Sequence, residues 1–214
     1  MARLEALPGG DSAKAKEAAN QAVELFKEDN SKLSQAIMLR GRLSDDAEKR
    51  LGDLNKAIEL DPENVEAWRA RASHYLARGE LKEAIDDLNR LLEDDEENQA
   101  IRLTVAEALI NMEQFDEALK QIDTAIEQQP TATAYILKAQ TLALQEKVDE
   151  GIEALDEALK LDARDASALS MRARLYYSQD RLALAAEDVR RWLQVIPDNP
   201  DAILLRSLIS AAQD

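Results

Sequence analysis

Apolar residues return along this chain with helical spacing, in short blocks separated by polar turns. In 12–28, Ala15, Ala18, Ala19, Ala22, Val23, Leu25 and Phe26 fall on one face of a 3.6-residue period, with Lys and Glu opposite. Pro8-Gly9-Gly10 breaks any helix before it, and Asp11 or Ser12 is placed to cap the first one. Asp29-Asn30-Ser31 reads as a turn. Ser44-Asp45-Asp46 reads as the N-cap of a later helix, where carboxylates also suit the positive end of the helix dipole. Gly79 falls where a helix is expected to end in a left-handed residue. Asn199 followed by Pro200 opens a last helix through Ala212.

The blocks repeat. Residues 65–98 form a 34-residue unit with Trp68, Ala72, Tyr75, Ala84 and Leu88 at positions 4, 8, 11, 20 and 24. Residues 99–131 follow with Ala106, Leu109, Phe115, Ala118, Ile122, Ala125 and Pro130. Residues 132–165 give Tyr135, Ala139, Leu142, Val148, Gly151, Leu155 and Ala158, and 166–199 give Leu169, Ala173, Tyr176, Leu182, Ala185, Val189 and Pro197. Residues 34–64 fit the same frame through Ile37, Gly41, Leu54, Ala57 and Pro62 if three residues are deleted around the turn between its helices. The pattern resembles the tetratricopeptide repeat (TPR), an antiparallel helix pair repeated in tandem. The resemblance implies an all-α fold, an α-solenoid of antiparallel helix pairs stacked in a right-handed superhelix. The expected organisation is a flexible segment 1–11, an N-terminal half repeat or cap 12–33, the shortened repeat 34–64, four full repeats and a capping helix 200–214. Small residues at positions 8 and 20 let two helices approach closely, and larger ones fill the space between pairs. One pair cannot bury its own apolar face, so neighbours bury it for each other.

Composition narrows the chemistry. The chain has 214 residues and a net charge of −16 from 27 basic and 43 acidic groups. Such a surface repels phosphate on average, which disfavours nucleic acid and anionic membranes as partners. There is no Cys and a single His, His74, so no disulfide framework, Cys-based zinc site or thiol nucleophile is available. His74 has no second ligand at useful spacing and reads as a packed structural residue. Acidic runs such as Glu93-Asp94-Asp95-Glu96-Glu97 lack the framework of a calcium loop. No cofactor or metal and no catalytic residue is expected. No stretch of 18 apolar residues exists, so membrane insertion is not expected. The first ten residues are too short and polar for a secretory signal. That makes the cytoplasm the default compartment and leaves export of a trimmed chain open.

Position 7 is Arg40, Arg71, Val105, Lys138 and Arg172, and position 23 is Asp53, Asp87, Gln121, Ala154 and Asp188. Every repeat with Arg at 7 has Asp at 23. An ion pair between the helices of one repeat or adjacent repeats is the favoured reading, ahead of an anion-binding ladder. Trp192 stands at position 27, normally small; it is expected to shift the packing of the last helix, with an indole N–H in need of an acceptor.

In TPR proteins the first helices line a concave groove. Carried over position by position, the groove would present Arg69, Ser73 and Leu76, then Leu103, Glu107, Ile110 and Asn111, then Ile136 and Gln140, then Ser170, Arg174 and Tyr177. The Lys and Asn with which some TPR co-chaperones grip a terminal carboxylate are absent from the matching positions. Apolar anchors Leu76, Leu103, Ile110, Ile136, Leu144 and Tyr177 would suit a helix or extended segment, unless Leu76, Ile110 and Leu144 are spent on packing between repeats. The expectation is a non-enzymatic scaffold that binds a peptide or protein segment. The alternative is a module of a larger enzyme or secretion assembly. The last helix carries Ile203, Leu204, Leu205, Leu208 and Ile209 on both faces, so a second copy packs there as a homo-oligomer or the natural protein continues.

Overall fold

A computed structural model describes residues 12–213. The expected break at Pro8-Gly9-Gly10, the 1–11 segment and a cap from Asp11 lie outside these residues. All regular structure among the described residues is helical, in two compact units that divide between Ile101 and Arg102.

The first unit holds α1 (Ser12–Leu25), α2 (Asn30–Arg42), α3 (Ala47–Leu60), α4 (Val65–Arg78) and α5 (Leu81–Asp94). The principal contacts pair α2 with α3 and α4 with α5, and α1 lies against α2. The division falls in α6 (Gln99–Asn111). The second unit continues with α7 (Phe115–Gln128), α8 (Ala132–Leu144), α9 (Val148–Leu161), α10 (Ala166–Ser178), α11 (Leu182–Val195) and α12 (Pro200–Gln213). Here α8 pairs with α9, α10 with α11, and α12 packs on α11.

Local chemistry sets the helix ends. The Asp46 side chain accepts from the N–H groups of Glu48 and Lys49 and starts α3. Asn199 accepts from the N–H of Ala202 and starts α12. The 29–31 segment differs from expectation. Asp29 alone is the cap, accepting from the N–H of Lys32, so Asn30 and Ser31 already belong to α2. Correspondingly α1 stops at Leu25 rather than 28. Leu25 is 76 % exposed and does not share the packed face, which Ala15 and Ala19 occupy.

The four turns within α4–α5, α6–α7, α8–α9 and α10–α11 are built alike. Gly79 has φ 73°, and Glu113, Glu146 and Asp180 adopt the same left-handed conformation at φ 59°, 63° and 58°. In each, the next residue's N–H reaches back to the helix: Glu80 to Tyr75, Gln114 to Leu109, Lys147 to Leu142 and Arg181 to Tyr176, at 2.9–3.0 Å. That is the Schellman closure of a helix end. The α2–α3 turn is different. Leu43 stays right-handed at φ −86°, and four residues separate the helices, against two after α4 and three in the other turns.

Close approach explains the small residues. Ala72, Ala84, Ala106, Ala118, Ala139, Ala173 and Ala185 are at most 1 % exposed. A Cβ on Gly151 would stand 3.2 Å from the Ala139 carbonyl oxygen, so α9 lies against α8 backbone to backbone. A Cβ on Gly41 would stand 3.0 Å from Asp53 Cβ and 3.2 Å from the Arg50 carbonyl oxygen. In the second unit Trp192 is buried in a cluster with Leu155, Leu159, Leu169 and Ala202, so it does sit beneath the last helix. Among the described residues its indole N–H has no hydrogen-bond partner, whereas that of Trp68 donates to the Pro62 carbonyl at 2.8 Å.

Candidate functional site

The Arg–Asp pairs join the helices of one repeat. Nε and Nη2 of Arg71 donate to the two oxygens of Asp87 at 2.8 and 2.7 Å, and those of Arg172 to Asp188 at 2.7 Å each. Arg40 holds Asp53 in the same two-pronged way, at 2.8 and 2.6 Å. The carboxylates raise the basicity of all three guanidiniums further. A third contact was not read from the sequence. Nη1 of Arg71 donates to Asn55 on α3 at 2.8 Å, and Nη1 of Arg172 to Asp156 on α9 at 2.5 Å. Lys138, which has no Asp at position 23, donates instead to Asp123 on α7 at 2.7 Å. Asn55, Asp123 and Asp156 recur 15 or 16 residues before the cation they serve, and that spacing was the available signal. Arg71, Lys138 and Arg172 therefore tie their helices to the preceding pair as well. Aromatic rings flank the guanidiniums, Trp68 4.9 Å from Arg71 and Tyr176 5.7 Å from Arg172. These arginines are occupied by structure and are not a free anion ladder.

The residues projected onto the groove separate by burial. Arg69, Ser73, Glu107, Asn111, Gln140 and Arg174 are exposed, and Leu76, Ile136, Ser170 and Tyr177 are half-buried. Leu103 and Ile110 are buried, at 9 % and 8 %, and Leu144 is 51 % exposed. Ile136 and Tyr177 pack in part against the clusters of the second unit. Arg69 pairs with Glu66 at 3.1 Å and Arg174 with Asp201 at 3.2 Å. On α12, Leu205 and Ile209 are buried while Ile203, Leu204 and Leu208 are 38–59 % exposed.

Two adjoining hollows lie in the first unit. The larger, about 770 Å³, is walled by Ala18, Ala22, Leu25 and Phe26 on the α1 side and by Gln35, Ala36, Met38, Leu39 and Arg42 of α2. Asn64 and Glu66, at the start of α4, close it. The smaller, about 320 Å³, is walled by Arg42, Arg50, Leu54, Glu66, Arg69, Ala70, Ser73, His74 and Ala77. Arg42 and Glu66 belong to both. The structure thus brings Arg69 and Ser73 together in one recess. It adds Arg42, Arg50 and His74, which the projection from other proteins left out.

His74 is 5 % exposed, and its Nε2 has no hydrogen-bond partner. Burial, then the charges of Arg50 and Arg78, hold its pKa below the usual histidine value. Among the described residues no three His, Asp or Glu side chains gather to hold a metal ion, and no helix is long and apolar enough to cross a membrane.

A family profile described as "Tetratricopeptide repeat" matches residues 39–99 and 145–202, and a second of the same description matches 75–141. The chain belongs to the tetratricopeptide repeat family. It is 28% identical over 172 residues to the DnaJ homolog subfamily C member 3 homolog of Dictyostelium discoideum, covering 72% of this chain and 34% of that protein. The Gallus gallus DnaJ homolog subfamily C member 3 is 28% identical over 186 residues, 79% of this chain and 36% of the relative. This TPR chain therefore spans about a third of the length of these relatives. Among solved structures, YrrB, described as a TPR protein with an unusual peptide-binding site, superposes with a TM-score of 0.68 at 24% identity, over 90% of this chain and all of that one. A tetratricopeptide repeat protein from Parabacteroides merdae superposes with a TM-score of 0.72 at 21% identity, over 95% and 80%. At those identities the likeness shows the fold. TPR folds are typically non-catalytic protein-interaction modules, and membership implies a scaffold of that kind.

Proposed function

We propose that this TPR chain binds a peptide or protein segment on the surface of its first helices, without catalysing a reaction. The observation that carries the reading is the open, largely apolar cleft of about 770 Å³ between α1, α2 and the start of α4. Leu25, which a packed helix would be expected to cover, stands 76 % exposed at its wall. An apolar side chain of a bound segment gains by leaving water there, and the rim offers Gln35, Lys32 and Asn64 for backbone contacts. YrrB's described peptide-binding site makes the same use of this fold reasonable. In the second unit, Gln140, Ser170, Arg174 and Tyr177 offer a further polar and aromatic surface for the same segment or another.

A second reading follows from the relatives' length. This array positions other subunits or substrates within a longer protein, and any chemistry lies elsewhere.

The test is selection of binding peptides from a displayed library with the full chain as bait, followed by direct titration. Leu25→Glu, an exposed position, is expected to weaken selected peptides at least tenfold while the circular dichroism spectrum stays helical. Peptides that bind Leu25→Glu as tightly as the parent would remove the cleft from the reading.

A further inference from the structure

The first and last of the described helices are unlike halves of one helix pair. α1 has the 14 residues of every second helix, α3, α5, α7, α9 and α11. Aligned with them at its start, it carries Ala15 at position 20 and Ala22 at position 27, the small positions of a second helix. α12 begins 34 residues after α10, and its Ala202, Arg206 and Ser207 stand where α10 has Ala168, Arg172 and Ala173. That is the pattern of a first helix. Among the described residues no first helix pairs with α1 and no second helix pairs with α12.

Both leave apolar surface where the partner would lie. Leu169 of α10, in one cluster with Trp192 of its own second helix, is fully buried, and Ile203 at the matching position of α12 is 38 % exposed. Leu204 and Leu208, one turn apart, are 59 % and 43 % exposed. In the first unit Leu25 stands exposed on the wall of the cleft of about 770 Å³. Within the stack, α2 lies against α3, its own second helix, and against α4, the next first helix. By the same rule a first helix for α1 lies against α1 and α2, the two helices that wall this cleft.

Charge and size set limits on the occupant. At a net charge of −16, copies of the chain repel one another. From Ala202 to Ala212, α12 bears one charged residue, Arg206, and no carboxylate. The cleft's charged residues are Lys32, Arg42 and Glu66, so the two faces bring few charges together. Arg206 would face Ala18 at position 23 of α1, a joint without the two-pronged ion pair, like that of Lys138 with Ala154. A 14-residue helix is about 21 Å long and about 10 Å across. Seated on two walls it covers roughly 400 Å² of each copy, below the ~800 Å² per partner of a standard stable interface. The association is therefore weak and concentration-dependent.

We infer that the cleft takes α12 of a second copy, so that two half pairs complete one repeat across a head-to-tail joint. The inference rests on the proposed reading of the cleft as a seat for a protein segment, and it names that segment. The joint is heterologous. Two joined copies still offer one free cleft and one free α12, and growth passes beyond two.

Sedimentation equilibrium of the full chain across the micromolar to millimolar range tests this. The mass is expected to rise from that of one copy with concentration, and to rise further with added salt, which screens the repulsion. Leu25→Glu spoils the cleft and keeps α12, whereas Ile203→Glu/Leu204→Glu spoils α12 and keeps the cleft. All three positions are exposed, so the helical spectrum is expected to stay intact. Each variant alone is expected to associate at least tenfold more weakly than the parent. Mixed in equal amounts, the two are expected to pair as one dimer of unlike copies and to stop there, because only one joint can form. A parent that stays a single copy throughout overturns the inference, as do mixed variants that fail to pair. Leu25→Glu associating as the parent does would mean that α12 packs on its own counterpart, and the inference falls. It falls too if only a chain lacking residues 1–10 associates, since those residues then hold the cleft. Library peptides that depend on Leu25, beside a parent that stays single, would leave the cleft standing and remove this partner alone. Variants that pair while no library peptide is selected would keep the joint and remove a separate peptide ligand.

Discussion

Helix pair α2–α3 in the first unit and pair α10–α11 in the second carry the same ion pair in different settings. Arg172 and Asp188 have side chains 13 % and 2 % exposed, with Asp156 as a third partner. Arg40 and Asp53 are 37 % and 18 % exposed and have no such third partner among the described residues. The residues are the same and the two-pronged geometry is the same. Both first helices are 13 residues long; what differs is where the helix ends relative to its arginine, two residues on in α2 and six in α10, and the third partner that the preceding pair supplies. Pair α10–α11 uses its arginine as a buried tie to the preceding pair, while pair α2–α3 leaves Arg40 nearer solvent.

The largest expected effect breaks that comparison at its buried end. Asp188→Ala strands Arg172 with Asp156 alone and is expected to cost about 3 kcal/mol, the low end of the range for breaking a buried pair. Asp53→Ala, at the exposed pair, is expected to cost no more than about 1 kcal/mol. Urea-unfolding midpoints of the two variants read the contrast directly. Equal losses would mean that burial and the third partner do not set the worth of the pair. Replacing both Arg172 and Asp188 by apolar residues of similar volume is expected to restore most of the stability lost in the single variant.

Gly41 and Gly151 sharpen it next. Both stand where two helices touch. Gly41→Ala would press a methyl to 3.0 Å from Asp53 Cβ and 3.2 Å from a carbonyl, with an expected loss of about 1–3 kcal/mol. Gly151→Ala meets one backbone oxygen at 3.2 Å, and Ala already serves at the matching positions 84, 118 and 185. There the gain of up to ~1 kcal/mol in helix propensity offsets the contact, and the net change is expected to be small. Thermal melts of the two variants give the order. A larger loss for Gly151→Ala would show that the shortened pair is the looser one.

The turns give a smaller step. Glu113, Glu146 and Asp180 hold the left-handed conformation that Gly79 holds without a side chain. Glu146→Gly is expected to be neutral to stabilising by up to ~1 kcal/mol, and Gly79→Ala to destabilise by about 1 kcal/mol. Chemical denaturation of both reads the sign. The same substitution at Leu43, which is right-handed, has no strain to relieve and is expected to destabilise.

The helix pairs were legible because their causes are local: small residues at 8 and 20, apolar residues between them, Asp46 and Asn199 at helix starts. The Arg–Asp pairing was legible as a correlation of residue types. Position 25 was not, because Asn55, Asp123 and Asp156 differ in type and act across a boundary between repeats. The recess was hidden for a related reason. A shortened pair is visible as a gap in the frame, but which helix absorbs the gap depends on packing. Here α2 keeps 13 residues but starts and ends earlier in the frame, and Arg42 at its end lines the recess. Projection of groove positions from other proteins found Arg69 and Ser73, and placed Leu103 and Ile110 on the same groove although packing has buried them.

His74 carries the smallest effect and the most specific one. Its pKa lies below the usual ~6.5 because burial, and then Arg50 and Arg78, disfavour the imidazolium; Glu80 and Glu48 act the other way. The unfolded chain therefore binds more protons than the folded one between the lowered value and ~6.5. The stabilisation is fully present above ~6.5 and is lost as pH falls through that value toward the folded pKa. His74→Gln, which cannot titrate, is expected to flatten this acid-side slope while leaving stability at pH 8 little changed. Unfolding midpoints from pH 8 to 5 test it, since no other imidazole contributes.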